Sequence, residues 1–188
     1  MRKNRRNLLI LLGSRREDGN STRLAYALAD AASRTGTAVQ SLRVPALDIA
    51  SCDGCGDCWR RAAEPCRIRD DMDSVYPLLR AADTLVFATP LHFYTWSAPL
   101  KTLIDRLYCF APARRRNLQG KRSVLLATAA DDRPAAFAGL RATYRLVAEF
   151  MGWKPAGEIL VPGVAEPGDI ARSGRHLARA EVLGARLR

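Results

Sequence analysis

Two stretches carry residue types that do chemistry. The first is CDGCGDCWRRAAEPC, with Cys52, Cys55, Cys58 and Cys66 in the spacing C-x2-C-x2-C-x7-C. Three thiolates this close can wrap one corner of an iron–sulfur cubane, and a fourth closes it. A structural zinc site usually comes as two separated pairs, and this spacing does not divide that way. Reduced loop thiols and a thiol redox pair remain open alternatives. The fifth cysteine, Cys109, falls on an expected helix and reads as a core residue. The second stretch is GSRREDGNS, 13 to 21. It follows five apolar residues and precedes an amphipathic run. Ser14, Ser21 and Thr22 offer hydroxyls, Arg16 a charge-assisted bond, and Asn20 a helix cap. Free N–H groups and the positive dipole end of a helix suit a phosphate there. A surface turn with a good cap is the competing reading. The loop has neither the Gly-x-x-x-x-Gly-Lys nor the Gly-x-Gly-x-x-Gly pattern.

The elements that must position these residues follow from periodicity. Apolar runs at 7–12 and 83–90 read as buried strands, with further strands at 38–44, 123–130 and 153–163. Helices are expected at 20–34, after Asp70 or Asp71 as a cap, at 97–110 with Pro99 in the first turn, at 134–151 ended by Gly152, and at 169–187. Five strands alternating with helices predict an α/β fold, a doubly wound parallel sheet in a three-layer αβα arrangement. The expected strand order is the flavodoxin-like 2-1-3-4-5, in a single domain spanning 1–188. Its crevice lies at the carboxyl ends of the strands, at the switch between strands 1 and 3. The loop after strand 3, TPLHFYTWSAP, is dense in rings just there. A flat ring system wants such walls. Rings that cap the sheet or form a subunit interface are the alternative. One loop for phosphate and one for a flat ring favour a mononucleotide such as FMN.

These motifs together carry a family likeness. GSRREDGNSTRL, CDGCGDCW with C-x-I-x-DDM, TPLHFYTWSAPLKTLIDRLYCF and GWKPAGEILVPGVAEPGDI resemble the flavodoxin-like NAD(P)H-dependent FMN reductases, and among them the iron-sulfur flavoproteins. The resemblance implies bound FMN, NAD(P)H as co-substrate and electron transfer through flavin N5. It implies that Ser14, Arg16, Asn20, Ser21 and Thr22 hold the FMN phosphate. Pro90, Leu91, His92, Phe93, Tyr94 and Thr95 would line the isoalloxazine, and Thr128 would border the ring or ribityl chain. It supports a [4Fe-4S] cluster on Cys52, Cys55, Cys58 and Cys66. Two departures stand out: His92 occupies a position where the family often has Tyr, and Ala129-Ala130 replaces a turn that usually contains Gly. No protein nucleophile is needed, because the cofactor does the hard step.

Composition narrows the alternatives. The 188 residues carry a formal charge of +11, but the basic residues are scattered and not interleaved with aromatics, so a nucleic-acid surface is not expected. Arg114-Arg115-Arg116 is the one tight cluster, either a solvated loop or a contact for an anionic cofactor or partner. No apolar run is long enough to span a bilayer, and the short apolar stretch after MRKNRR does not read as a signal peptide, so a cytoplasmic protein is expected. The expected acceptor is a small molecule such as a flavin or a quinone, with a ferredoxin-like donor as a possible redox protein partner. Relatives form dimers or tetramers, and the same is expected here. A plain FMN or quinone reductase without a cluster is one alternative. A flavodoxin-like electron carrier without its own substrate is another, although carriers are usually acidic.

Overall fold

The computed structural model describes residues 6–60, 65–111, 118–172 and 174–188. The Arg114–Arg116 cluster lies outside them. The elements are β1 (Asn7–Leu12), α1 (Asn20–Arg34), β2 (Ala38–Arg43), α2 (Asp57–Arg60), α3 (Met72–Ala81), β3 (Thr84–Pro90), α4 (Ala98–Arg106), β4 (Arg122–Thr128), α5 (Ala138–Phe150), β5 (Lys154–Val161) and α6 (Arg175–Ala185). The five strands form one parallel sheet in the order β2-β1-β3-β4-β5. This is the expected flavodoxin-like order.

Alternation along the central strands splits the core in two. Leu9, Leu11, Leu85, Phe87 and Leu125 face α3, α4 and α5. Leu8, Ile10, Val86, Val124 and Leu126 face α1 and α6. Side chains on successive residues point to opposite faces, so these near-continuous apolar strands bury both. Each fully buried aliphatic side chain contributes roughly 1.5–3 kcal/mol. On one face, α1 and α6 approach closely at Gly184. A Cβ there would lie 2.2 Å from the Leu28 carbonyl oxygen.

Three helices differ from the sequence expectation. The run 97–110 is α-helical to Arg106 and then tightens into a 3-10 turn over Leu107–Phe110. The run from Pro134 begins as a 3-10 turn before α5. The tail is a short 3-10 turn over Asp169–Ala171 followed by α6. Gly174, at φ 61, precedes α6 in a left-handed conformation that glycine adopts without a Cβ clash. The short α2 inside the cysteine stretch had no periodic signal.

Candidate functional site

Parallel register brings the ends of β1, β3 and β4 to one edge of the sheet, where Leu12 pairs with Ala88 and Pro90 with Thr128. A cleft of about 420 Å³ opens there. Gly13, Ser14, Arg16, Asn20 and Ser21 form one wall, and Pro90, Leu91 and His92 another. Thr128 and Ala130 close the far side, and Ser97 and Pro99 lie beside Gly13. Eight of the expected cofactor residues therefore share one cleft: Ser14, Arg16, Asn20, Ser21, Pro90, Leu91, His92 and Thr128. Thr22 sits behind this wall, buried, with its hydroxyl 3.4 Å from the Arg16 carbonyl oxygen.

The loop after β1 is knitted to the loop after β5. Arg16 donates from its guanidinium to the Ala165 carbonyl at 3.1 Å. Asn20 does not cap α1, whose N-cap is Gly19. Its amide donates to the Glu166 carbonyl at 2.9 Å, and its Oδ1 accepts from the Ile170 N–H at 3.2 Å. The cap reading failed because the nearest partners of Asn20 lie across the fold, some 146 to 150 positions away. Ser14 Oγ accepts the Arg16 N–H at 3.1 Å and shapes the turn.

Phe93, Tyr94 and Thr95 lie outside the cleft lining. His92 and Thr95 exchange backbone bonds at 3.1 and 3.0 Å and close a two-residue turn. Phe93 and Tyr94 occupy its centre at φ 48 and 65. This is the turn geometry that Asn-Gly normally fills, and bulky residues are strained in it. The turn sends Phe93 into solvent, 97% exposed. Arg133 faces Tyr94 and is paired with Asp131. Hydrogen bonds from Arg133 hold the Asp131 carboxyl down at about 2.

Ser97, which the sequence reading does not assign to the site, also lines the cleft. It is the N-cap residue of α4, is 1% exposed, and its Oγ has no partner. A Cβ on Gly13 would meet that Oγ at 2.6 Å, and one on Gly19 would meet Ser14 Oγ at 2.8 Å. The signal was present in Ser97-Ala98-Pro99, a helix start at the crevice. A cradle without Cβ atoms, two helix N-termini and an orphaned hydroxyl fit a phosphate-bearing group with hydroxylated carbons.

The cysteines behave differently. Cys52 is exposed, Cys55, Cys58 and Cys66 are half-buried, and none of them forms a disulfide. Cys109 is buried, and burial pushes its thiol up to about 12. Among the described residues, no group of three or more Cys, His, Asp or Glu side chains could hold a metal ion. A second cavity of about 380 Å³ separates Cys52 and Gly54 from Leu107, Val147 and Phe150.

A doubly wound sheet with this cleft at its switch point defines a flavodoxin-like nucleotide-binding protein. Residues 6–164 match the model of the NADPH-dependent FMN reductases. The chain belongs to that family and is an FMN-dependent oxidoreductase. It is 29% identical to an iron-sulfur flavoprotein of Archaeoglobus fulgidus over 94% of this chain and 76% of the relative. It is 33% identical to an iron-sulfur flavoprotein of Methanosarcina thermophila, over 60% of this chain and 56% of the relative. Its fold is similar to that of an NAD(P)H:quinone oxidoreductase from Methanothermobacter marburgensis, with a TM-score of 0.77 and 20% identity, covering 97% of each chain. No helix among the described residues is long and apolar enough to cross a membrane.

Proposed function

We propose that this protein oxidises NAD(P)H and passes the electrons to a small acceptor, a flavin or a quinone, with FMN held in the cleft at the ends of β1, β3 and β4. The observation that carries this reading is the cleft itself, whose Gly13 and Gly19 cradle and buried Ser97 hydroxyl have the shape and donors such a cofactor requires. When bound, FMN supplies hydride acceptance at N5 and onward electron delivery.

The residues of the chain divide the binding task. The N-terminus of α1, with Ser14, Ser21 and the Arg16 guanidinium, takes the phosphate. Ser97 and Thr128 meet the ribityl hydroxyls. Pro90, Leu91 and His92 flank the ring and exclude water from it. Thr22 acts behind this surface, and Asn20, in the wall itself, holds the loop in shape through Glu166 and Ile170. The test is steady-state NADPH and NADH oxidation by the purified protein with flavin and quinone acceptors. Acceptor-dependent oxidation supports a reductase. No pyridine-nucleotide oxidation with any acceptor leaves an electron carrier instead.

A second reading adds a [4Fe-4S] cluster on Cys52, Cys55, Cys58 and Cys66. It is favoured by the names of the Archaeoglobus and Methanosarcina relatives and by the cysteine spacing. Iron and acid-labile sulfide, counted in protein purified without oxygen, separate it from a plain FMN reductase. A dimer or tetramer, and a ferredoxin-like donor in place of NAD(P)H, belong to the same proposal. Sedimentation and reduction by a ferredoxin test them.

A further inference from the structure

The last residue of α4 is Arg106, whose side chain is 0% exposed. Its guanidinium forms an ion pair at 2.5 Å with Asp70, itself 8% exposed. It also donates to the carbonyls of Ala50 at 2.8 Å and Ile68 at 3.4 Å, and to the Tyr76 hydroxyl at 3.3 Å. Ala50 lies two residues before Cys52, and Ile68 two after Cys66. One side chain therefore bonds both ends of the cysteine loop.

Asp70 works from the opposite side of the same junction. Its Oδ2 accepts the Ala50 N–H at 3.0 Å, and its Oδ1 accepts the Met72 N–H at 3.0 Å. Asp71 repeats the link one step out, accepting the Asp48 N–H at 2.7 Å and donating its own N–H to the Asp48 carbonyl at 3.2 Å. Between these ends the described loop has only the four-residue α2 as regular structure. A buried ion pair is seldom better for stability than apolar residues of the same volume. What an apolar pair cannot do is bond two carbonyls from separate chain segments while filling the space between them.

We propose that Arg106, paired with Asp70, is a positioning residue that pins both ends of the cysteine loop to α4. The opposite end of that helix lines the cleft at Ser97 and Pro99. Nine residues of helix, about 13 Å, set the spacing between the two. Arg106 does not line the cleft, and the redox relevance of the loop rests on the reading given above.

The experiment uses full-length, FMN-loaded protein and the variants Arg106→Met, Arg106→Lys and Asp70→Asn. Amide hydrogen exchange is followed in peptides covering 48–60 and 65–72, together with the rate of thiol modification by Ellman's reagent and FMN affinity. Arg106→Met is expected to speed exchange and thiol modification at least ten-fold. Arg106→Lys should be intermediate, because it keeps the charge and loses the fork. FMN affinity should stay within two-fold, and Cys109 should remain unmodified. Unchanged exchange in 48–72 would overturn the proposal. So would exchange rising equally across the sheet, which would make the pair a support of the whole fold. If Arg106→Met does not fold, Asp70→Asn decides by the same criteria, and loss of cooperative unfolding in it also counts against the proposal. Wild-type protein that binds no FMN would refute the cofactor reading and leave the exchange result standing.

Discussion

The cleft and the cysteine loop are both built from irregular chain, but by different means. The cleft is held by the sheet. Gly13 donates to the Ala88 carbonyl at 2.8 Å and Leu91 to the Thr128 carbonyl at 2.7 Å, so its walls continue the strand register. The cysteine loop, whose Cys58 and Cys66 pack on the core, is tied at its two ends by side chains from distant positions, Asp70 and Arg106. Burial raises the Asp70 carboxyl, but hydrogen bonds from Arg106, Ala50 and Met72 outweigh this and hold it below its ordinary value. Backbone register makes a site that tolerates change in its surroundings. A side-chain clamp makes one that a single substitution can release.

The sharpest way to break the cleft is Gly13→Val. Its Cβ would meet Ser97 Oγ at 2.6 Å and Leu100 Cβ at 3.2 Å, inside the cradle. FMN affinity is expected to fall by two orders of magnitude, about 2.7 kcal/mol, while the cysteine peptides keep their exchange rates. Fluorescence titration measures the first and exchange the second. A milder probe is Arg16→Ala. It removes a charge-assisted bond of about 1.5–3 kcal/mol, but the α1 N-terminus remains. About ten-fold weaker FMN binding with the thermal midpoint unchanged is expected, and equal affinity would show that Arg16 serves only the Ala165 carbonyl.

The strained turn gives an effect of opposite sign. Replacing Phe93-Tyr94 by Asn-Gly suits φ 48 and 65 and should stabilise the protein by about 1 kcal/mol. That is a rise of roughly 3 °C in Tm by calorimetry. A lower Tm would mean that the rings support the fold. The smallest effect concerns pH and the clamp. Because the Asp70 carboxyl is held below its ordinary 3.8, the stability it contributes is fully present above that pH and is lost as pH falls through the lower folded value. Exchange in 48–72 should therefore stay flat from pH 7 to 5, after correction for intrinsic rates, and rise only below about pH 4. A rise near pH 6 would point to another group.

The two regions also differ in how far the sequence reveals them. Periodicity located the strands to within about two residues, and their order places the cleft, because register follows from the alternation of buried faces. That places Ser14, Arg16, Pro90, Leu91, His92 and Thr128 around the cleft, while their roles toward FMN follow from the family resemblance. The directions of Asn20, Phe93 and Tyr94 were not, since they depend on turn geometry and on partners far along the chain. Ser97 could have been found as a helix N-cap aimed at the crevice. Arg106 had a signal too: it lies within the apolar face of Leu100, Leu103 and Leu107, where an arginine needs a buried acid, and Asp70-Asp71 supplies one. The cysteine spacing names a chemistry, but it cannot say whether the loop gathers its thiols.

FMN binding in the cleft and its reduction by pyridine nucleotide are read together in the absorption spectrum of FMN-reconstituted protein, purified without oxygen, before and after one equivalent of NADPH or NADH. Stoichiometric flavin bands that bleach on mixing are expected in the wild type and are expected to be missing from the Gly13→Val variant. A wild-type protein that takes up no FMN, or whose bound flavin neither nucleotide bleaches, would contradict that expectation.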